Sequence, residues 1–491
     1  MFSVPSDEIK SQYELVIGLE VHAQLLTESK IFASDANQFG SLPNRNISVI
    51  TLGHPGTLPK LNQKAVDLAI RFGLATNSTI SRRTVFDRKN YFYPDLPKGY
   101  QISQDKAPIC WGGEIWIKLK DGSEKAIEMH HTHLEEDAGK SIHDEHSSDT
   151  QLDYNRAGTP LIEIVSDPSM RSAEEAAAYV TEIRKLVRYL DICDGNMEEG
   201  SLRCDVNVSV RKYGEPLGTK VEIKNMNSVR FLQKAIEYEY DRQVEMVEAG
   251  ETIIQETRMF DPETGRTYGM RVKETMNDYR YFPEPDLVPI LITDEKLDEV
   301  RRQMPTLPRQ LVKTYTQDFG IQEADALSIT ESKELVAYFE AVVAEKVSPK
   351  VAANWLMGPV RSWMNESKQD IDGFTLTPAT LAALIRLVEE NKVSNSAAAQ
   401  KLFPALLEKP EAEPLALAEE LQLIQQGNSE VLQALIDEVL KSLPDKVKEY
   451  KKGKKGLLGL FVGEVMKKSK GQADPKVTNQ LVIQSLDAIT V

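Results

Sequence analysis

Arg203, Asp205, Asn207 and Ser209 occupy every second position of the segment 201–210, and Leu202, Cys204, Val206, Val208 and Val210 fill the positions between them. A β-strand turns successive side chains to opposite faces. One face of this segment is therefore apolar, and the other carries a cation, a carboxylate and two neutral polar groups. The segment 219–224 repeats the pattern, with Val221 and Ile223 opposed to Lys220, Glu222 and Lys224. Paired, the two strands back an apolar layer with a face of alternating cations and carboxylates. Such a face can hold a divalent ion and phosphates; the competing reading is a solvated sheet face.

Further groups of the same kind lie upstream. Glu20 and His22 are two apart in a segment where Leu15, Ile17, Leu19 and Val21 alternate with Val16, Gly18, Glu20 and His22. They share a strand face, and a carboxylate with an imidazole can ligate a divalent cation. Glu135-Glu136-Asp137 follows His130-His131-Thr132-His133 and runs into Ala138-Gly139-Lys140. Three adjacent acids repel one another unless a cation or water screens them. The stretch 87–100 mixes Lys89, Tyr91, Phe92, Tyr93 and Lys98 with prolines and a glycine at no period of 2 or 3.6. It reads as an ordered loop lining a cavity, where lysines can neutralise phosphate and tyrosines can stack or hydrogen-bond. All seven histidines fall between His22 and His146, which puts the chemistry in the N-terminal part.

Several familiar chemistries are excluded. The string Gly214-Glu215-Pro216-Leu217-Gly218-Thr219-Lys220 has neither the spacing nor the final order of a P-loop. No Gly-x-Ser-x-Gly elbow is present. Cys110, Cys193 and Cys204 are too few and too scattered for a disulfide framework or a CxxC zinc site, and point to a reduced, cytoplasmic compartment. No membrane span is expected, because no run approaches 18 uninterrupted apolar residues.

The elements that must position these groups are legible in outline. The residues 114–119, the turn Asp121-Gly122 and the residues 125–133 form a predicted β-hairpin. Ser172 and Glu175 make a capping box ahead of Val180, Ile183, Val187 and Leu190 at helical spacing. A second helix is expected over about 229–248. Beyond about Thr293 strand patterns vanish, and Thr377-Pro378, Ser394 and Ser429 mark helix starts. We therefore expect an α+β chain: a mixed-sheet cradle over 1–292, an all-α helical domain over 293–408, and a small all-α tail over 409–491. The net charge of −16 argues against binding nucleic acid over the whole surface. Yet nine lysines of the tail, including Lys451, Lys452, Lys454, Lys455, Lys467 and Lys468, face only Glu449 and Glu464. A basic, Gly-rich patch suits contact with a nucleic-acid backbone; the competing reading is a charged, soluble helix end.

Together these segments resemble the GatB family, the B subunits of the glutamyl-tRNA(Gln)/aspartyl-tRNA(Asn) amidotransferases. The resemblance rests on Ile17-Gly18-Leu19-Glu20-Val21-His22, the loop 88–104, and His133-Leu134-Glu135-Glu136-Asp137-Ala138-Gly139-Lys140. It continues through the run 153–163, the strand bearing Arg203 and Asp205, Val221-Glu222-Ile223-Lys224-Asn225-Met226-Asn227, and the run 279–287. The lysine-rich helical end is similar to the YqeY-type tail of that family.

The resemblance implies a two-step reaction. ATP first phosphorylates the side-chain carboxylate of Glu-tRNA(Gln) or Asp-tRNA(Asn). Ammonia, released from glutamine on a partner amidase subunit, travels through an internal tunnel and then displaces phosphate. A small third subunit is expected to clamp the pair. By the same resemblance, Mg²⁺ is expected on Glu20, His22, Glu135 or Glu136, Asp205 and Glu222. Arg203, Asp205 and Glu136 are the expected catalytic groups, and Lys89, Tyr91 and Lys98 the lining where ammonia meets phosphate. The six tail lysines named above are the expected tRNA contacts. No zinc is expected, because the cysteine cluster of some relatives is missing. The alternative is a tRNA-binding scaffold whose chemistry lies wholly on a partner.

Overall fold

The computed structural model describes residues 4–143, 149–272, 279–425, 429–469, 473 and 475–489. The chain divides into two compact units, Met1–Pro305 and Thr306–Val491.

The first unit is built on a 10-stranded mixed sheet. Its main strands are β1 (Tyr13–Gln24), β2 (Glu124–Glu136), β3 (Pro160–Ser166), β4 (Leu202–Lys212), β5 (Val221–Met226), β6 (Glu256–Asp261) and β7 (Arg266–Val272). They lie in the order β7-β6-β5-β4-β1-β3-β2, and two short strands, Cys110–Trp111 and Thr79–Ile80, continue past β2. All neighbouring pairs are antiparallel except β5 with β6. The expected pairing of the two charged strands is present, with a register shift between Cys204 and Val206. The hairpin is present as well, Glu114–Lys118 pairing with β2, which runs on to Glu136.

Helices α1 (Gln63–Ala75), α2 (Ala173–Tyr189) and α3 (Val229–Glu248) complete the framework. α2 packs on β1, and α3 on β4, β5 and β7. Beneath them Leu19, Val21, Ile162, Ile164, Leu202, Val206 and Ile223 are fully buried, and Ile183, Val187, Leu232 and Ile236 meet them from the helices. Each such side chain contributes about 1.5–3 kcal/mol on burial. This layer fixes the sheet register, because a slip of one residue would turn every apolar side chain to the other face. The Ser172 hydroxyl caps α2 by accepting from the Glu175 amide at 3.1 Å. The Glu175 carboxylate, however, reaches the amide of Arg171 rather than that of the cap residue.

The stretch 87–100 differs from the expectation of a plain loop. Its ends are strands, Asp87–Asn90 and Tyr100–Ser103, which pair with each other, and Phe282–Pro283 completes a 3-stranded sheet. Arg88 breaks the alternation a strand would show in sequence, since its guanidinium is committed to buried Glu284 at 2.7 Å. The first unit also extends one helix past residue 292. The helix Asp294–Arg302 packs on α1 through buried Leu297 and Val300, and Lys296 lies 3.0 Å from Asp67.

The second unit is helical throughout its described residues. Thr377 and Ser394 cap helices as their sequence context implies. The helix Pro414–Glu420 packs on Pro378–Glu389, so the core of the tail begins later than residue 409. That core comprises Leu432, Ile436, Val439, Phe461, Val465, Val482 and Leu486. No described helix is long and apolar enough to cross a membrane.

Candidate active site

The face of the sheet opposite α2 and α3 gathers the chemistry. Across the strands, His133 of β2 is aligned with Glu163 of β3, Glu163 with His22 of β1, and His22 with Arg203 of β4. Two residues along, Glu20 is aligned with Asp205; further on, Asn207 is aligned with Glu222. Cross-strand partners point to the same side, so alternation in five strands converges on one surface.

Two groups form there. In the first, the His22 Nε2 lies 3.3 Å from the Glu163 carboxylate, and the His133 Nε2 lies 3.5 Å from both Glu163 and Glu135. One donor atom each from His22, Glu135 and Glu163 falls within 4.8 Å of the others. In the second, the Lys224 ammonium lies 2.8 Å from Asp205 and 3.1 Å from Glu222. Thr257 donates to Glu222 at 2.8 Å, and Asn207 donates to Glu20 at 3.0 Å.

Burial and charge decide the protonation of these groups. Burial disfavours a charge on Glu163, but His133 and His22 hold its carboxyl far below the usual range. Burial likewise disfavours the His22 imidazolium, yet the carboxylate of Glu163 raises its pKa to about 9. His133 is shifted upward for the same reason. Glu20 moves the other way, raised by burial and by the neighbouring charge of Glu163. His131, buried beside His133 and His130, drops to about 4 and is neutral at physiological pH.

Cations border the carboxylates. Arg203 donates to Asp137 at 2.8 Å, and Gln24 donates to the same oxygen at 2.9 Å. Asp137 keeps the guanidinium firmly charged. In return, Arg203 and Arg156 offset the burial of Asp137 and hold its carboxyl at about 2. Lys89 lies 5.0 Å from the centre of the Tyr279 ring, and Tyr279 meets Tyr91 edge-on with centres 6.1 Å apart. Burial opposes the charge on Lys89, but Glu135 and Glu163 raise its pKa above the ordinary lysine value.

The family follows from the whole chain. Residues 15–298 match the GatB/GatE catalytic domain, and residues 337–486 match the GatB domain. Proteins named as the B subunit of aspartyl/glutamyl-tRNA(Asn/Gln) amidotransferase are similar along their full length. That of Synechococcus sp. (strain JA-3-3Ab) is 50% identical, covering 97% of this chain and 98% of the relative. Those of Alkalilimnicola ehrlichii and Thermoanaerobacter pseudethanolicus are each 48% identical over 97% of this chain. The chain belongs to the GatB family.

Set against this GatB framework, the residues singled out from sequence divide into three places. Glu20, His22, Glu135, Arg203, Asp205 and Glu222 share the sheet face opposite α2 and α3, and Lys89, from the 3-stranded sheet, lies near Glu135 and Glu163. Glu136 does not join them. It turns to the opposite side, pairs with Lys98 and accepts from the Ile102 amide at 2.9 Å. There it lines a cavity of about 200 Å³ with Lys30, Arg88, Lys98, Tyr100 and Asp286. Of the two, Glu135 and not Glu136 has a carboxylate oxygen within 4.8 Å of donor atoms of His22 and Glu163. The third place is the tail, where several lysines already have partners within their own unit. Lys454 pairs with Glu449, Lys468 with Glu438, Lys451 donates to the Asp487 carbonyl, and Lys455 lies over the Tyr450 ring.

Sequence reasoning missed Glu163, and it named His133, Asp137 and Lys224 within their segments without giving them a role. Glu163 carried no clear signal, being a lone carboxylate among Leu161, Ile162, Ile164 and Val165. His133 and Lys224 share faces with Glu135 and Glu222 by strand alternation. Asp137 lies beyond the end of β2, where alternation gives no guidance.

One donor set fits divalent cations. His22, Glu135 and Glu163 offer one imidazole and two carboxylates to a common point, a mixed set that admits more than one metal. Glu20, Asp205 and Glu222 are oxygen donors of the kind that suits Mg²⁺. Lys224, however, is paired with Asp205 and Glu222, and Asn207 with Glu20, and the three form no common donor group among the described residues. The three cysteines are buried and separate, in no shared group.

Proposed function

We propose that this chain activates the side-chain carboxylate of Glu-tRNA(Gln), Asp-tRNA(Asn) or both with ATP and then converts it to the amide. The observation that carries the reading is the convergence of Glu20, His22, Glu135, Glu163, Asp205 and Glu222 on one open sheet face, bordered by Arg203, Lys89 and Lys224.

Phosphoryl transfer asks a protein chiefly for positioning and for neutralisation of charge. Arg203, fixed in direction by Asp137, supplies a permanent cation toward the transferring group. Lys89 supplies a second beside Glu135 and Glu163. Mg²⁺ on the carboxylates would balance the phosphate charge. The product of the first step is an acyl phosphate and ADP. Ammonia attacks its carbonyl carbon, phosphate leaves, and the nitrogen gives up a proton to form the amide. The departing phosphate can take that proton, because His22 already carries its own beside Glu163. Lys98 and Glu136, in their own cavity, are the polar groups we assign to the path of incoming ammonia, with Tyr91 and Lys89 at its far end.

The relatives are named as one subunit of several, which supports a complex in which an amidase subunit makes ammonia and a small subunit joins the two. The basic tail is our candidate for the tRNA backbone. The test is to purify the chain together with its amidase and small partner subunits and to assay both misacylated tRNAs with and without ATP. Amide should form only with ATP. Asp205→Asn and Glu20→Gln should abolish ATP hydrolysis stimulated by charged tRNA and leave tRNA affinity nearly intact. Unchanged turnover in both variants would instead make the chain a scaffold.

A further inference from the structure

Strand β2 carries a pair of imidazoles outside the acidic centre. His131 is aligned with Val165, and Met129 with Ser166, so His130 is an extra residue of β2 at the register shift. A regular strand would turn His130 and His131 to opposite faces. A bulge bends the strand and re-aims a side chain. Here it brings the two rings together, with His130 Nδ1 2.7 Å from His131 Nδ1. His130 is exposed and His131 half-buried. Trp111 is aligned with His131 on the neighbouring short strand and is itself 41% exposed. Its ring centre lies 5.9 Å from that of His130 and 6.0 Å from that of His131. On the inner side, His131 Nε2 lies 3.1 Å from His133 Nδ1, the two rings nearly parallel.

We propose that His130 and His131 form a site for a borderline divalent ion of the Zn²⁺, Ni²⁺ or Cu²⁺ kind, separate from the acidic centre and independent of the reaction proposed above. Imidazole suits these ions, whereas Mg²⁺ takes oxygen. An ion about 2.0–2.1 Å from each nitrogen holds the two about 2.9–3.4 Å apart, in square-planar or tetrahedral geometry. The observed 2.7 Å therefore needs only a small opening, which the exposed ring of His130 can supply. The ion takes the place of the single hydrogen between the two Nδ1 atoms, and the ring that gives it up carries it on Nε2. His131 is neutral at physiological pH, so it meets the ion without first losing a charge. Its other nitrogen rests against His133, and a partner on that nitrogen commonly fixes the orientation of a ligating ring. Water completes the coordination on the exposed side. A plain hydrogen bond between two neutral rings would also bring the nitrogens together, but it predicts no affinity for such ions.

The test titrates the full-length chain with Ni²⁺ in excess Mg²⁺, which keeps oxygen donors occupied, and follows binding by calorimetry and by tryptophan fluorescence. Trp111 lies beside both rings, so bound Ni²⁺ should quench it. His130→Ala, a change at an exposed position, should weaken Ni²⁺ binding about tenfold or more and remove the quench. Trp111→Phe should lose the same quench and keep the calorimetric affinity. His22→Gln should behave in both readings as the unaltered chain does. Ni²⁺ binding and quenching in His130→Ala equal to those of the unaltered chain would overturn the proposal and leave a hydrogen-bonded pair of rings. Loss of the quench in His22→Gln alone would overturn it too, by moving the ion to the acidic centre. So would an unaltered chain whose emission shows no Ni²⁺ quench dependent on Trp111.

Discussion

Glu135 and Glu136 are neighbours in sequence and face opposite sides of the sheet. Glu135 meets His133 and shares a donor cluster with His22 and Glu163, whereas Glu136 pairs with Lys98 beside a cavity. Strand geometry requires the division, and the register of β2 against β3 decides which residue goes where. The two should separate cleanly in metal binding. Mn²⁺ titration followed by electron paramagnetic resonance should show Glu135→Gln weaker by about tenfold or more, with Glu136→Gln close to wild type. Equal weakening in both would contradict the assignment.

Loss of Glu136 should instead be felt in stability. Its partner Lys98 is nearly buried, with 10% of its side chain exposed. Removing one member of a buried ion pair leaves the other uncompensated and costs about 3–5 kcal/mol. Urea unfolding of Glu136→Gln should register a loss toward the lower end of that range, since the amide still accepts from Ile102. The doubly altered Glu136→Gln, Lys98→Met chain should recover part of it.

A pH-dependent contribution lies away from the acidic centre. Glu14 accepts from Arg171 at 2.9 Å and from Arg211 at 2.5 Å, tying β1 to the start of α2 and to β4. The hydrogen bond from Arg211, followed by that from Arg171, lowers its pKa below the ordinary 4.5. The unfolded chain therefore binds the proton first as pH falls, and stability drops with it. The contribution is complete above about pH 4.5 and is lost as pH passes down through the folded value. Glu14→Gln should cost about 1–2 kcal/mol at pH 7. Melting curves of variant and wild type should converge in acid; a gap that persisted to pH 2 would exclude the ion pair as its cause.

Much of this arrangement is legible in the sequence because the sheet is half-buried. Helices cover only one face, so β1 and β4 alternate cleanly and their charged faces can be read residue by residue. The helix over 229–248 is equally plain, its start fixed by Ser228 accepting from the Phe231 amide. Where the covering changes, legibility ends. Asp87–Asn90 is a strand whose polar side chains are held by partners nearly 200 residues away, such as Glu284 with Arg88. The helix Asp294–Arg302 looks like the opening of the helical region, and only its packing on α1 shows otherwise. Glu163 was passed over because a lone carboxylate in an apolar strand says nothing until His22 and His133 are placed on either side of it.

Gly139 marks a close approach that no other residue fits. A Cβ there would lie 2.8 Å from the Asp95 carbonyl and 3.0 Å from that of Asp153. The Gly139 amide donates to Asp95 at 2.8 Å, pinning the loop that carries Lys98 against the end of β2. Gly139→Ala should force the strands apart at a cost of about 1–3 kcal/mol. Unfolding experiments should show that loss, with Gly122→Ala as a contrast: its added methyl meets open space, so any cost comes from its positive φ alone.

The tail offers a quantitative test of tRNA contact. Each lysine that neutralises a phosphate releases a counterion and adds about 0.7–0.9 to the slope of log affinity against log salt. Lys451, Lys454 and Lys455 have partners inside the tail, and those partners must be exchanged for phosphate on binding. Replacing Lys451, Lys452, Lys454 and Lys455 together by alanine should therefore flatten the salt slope by about 3.6 at most. The flattening should be the same for tRNA of any sequence, because backbone contacts carry no sequence information. Filter binding of two unrelated tRNAs across a potassium chloride series measures both quantities. A slope unchanged in the variant would assign these lysines to solubility alone.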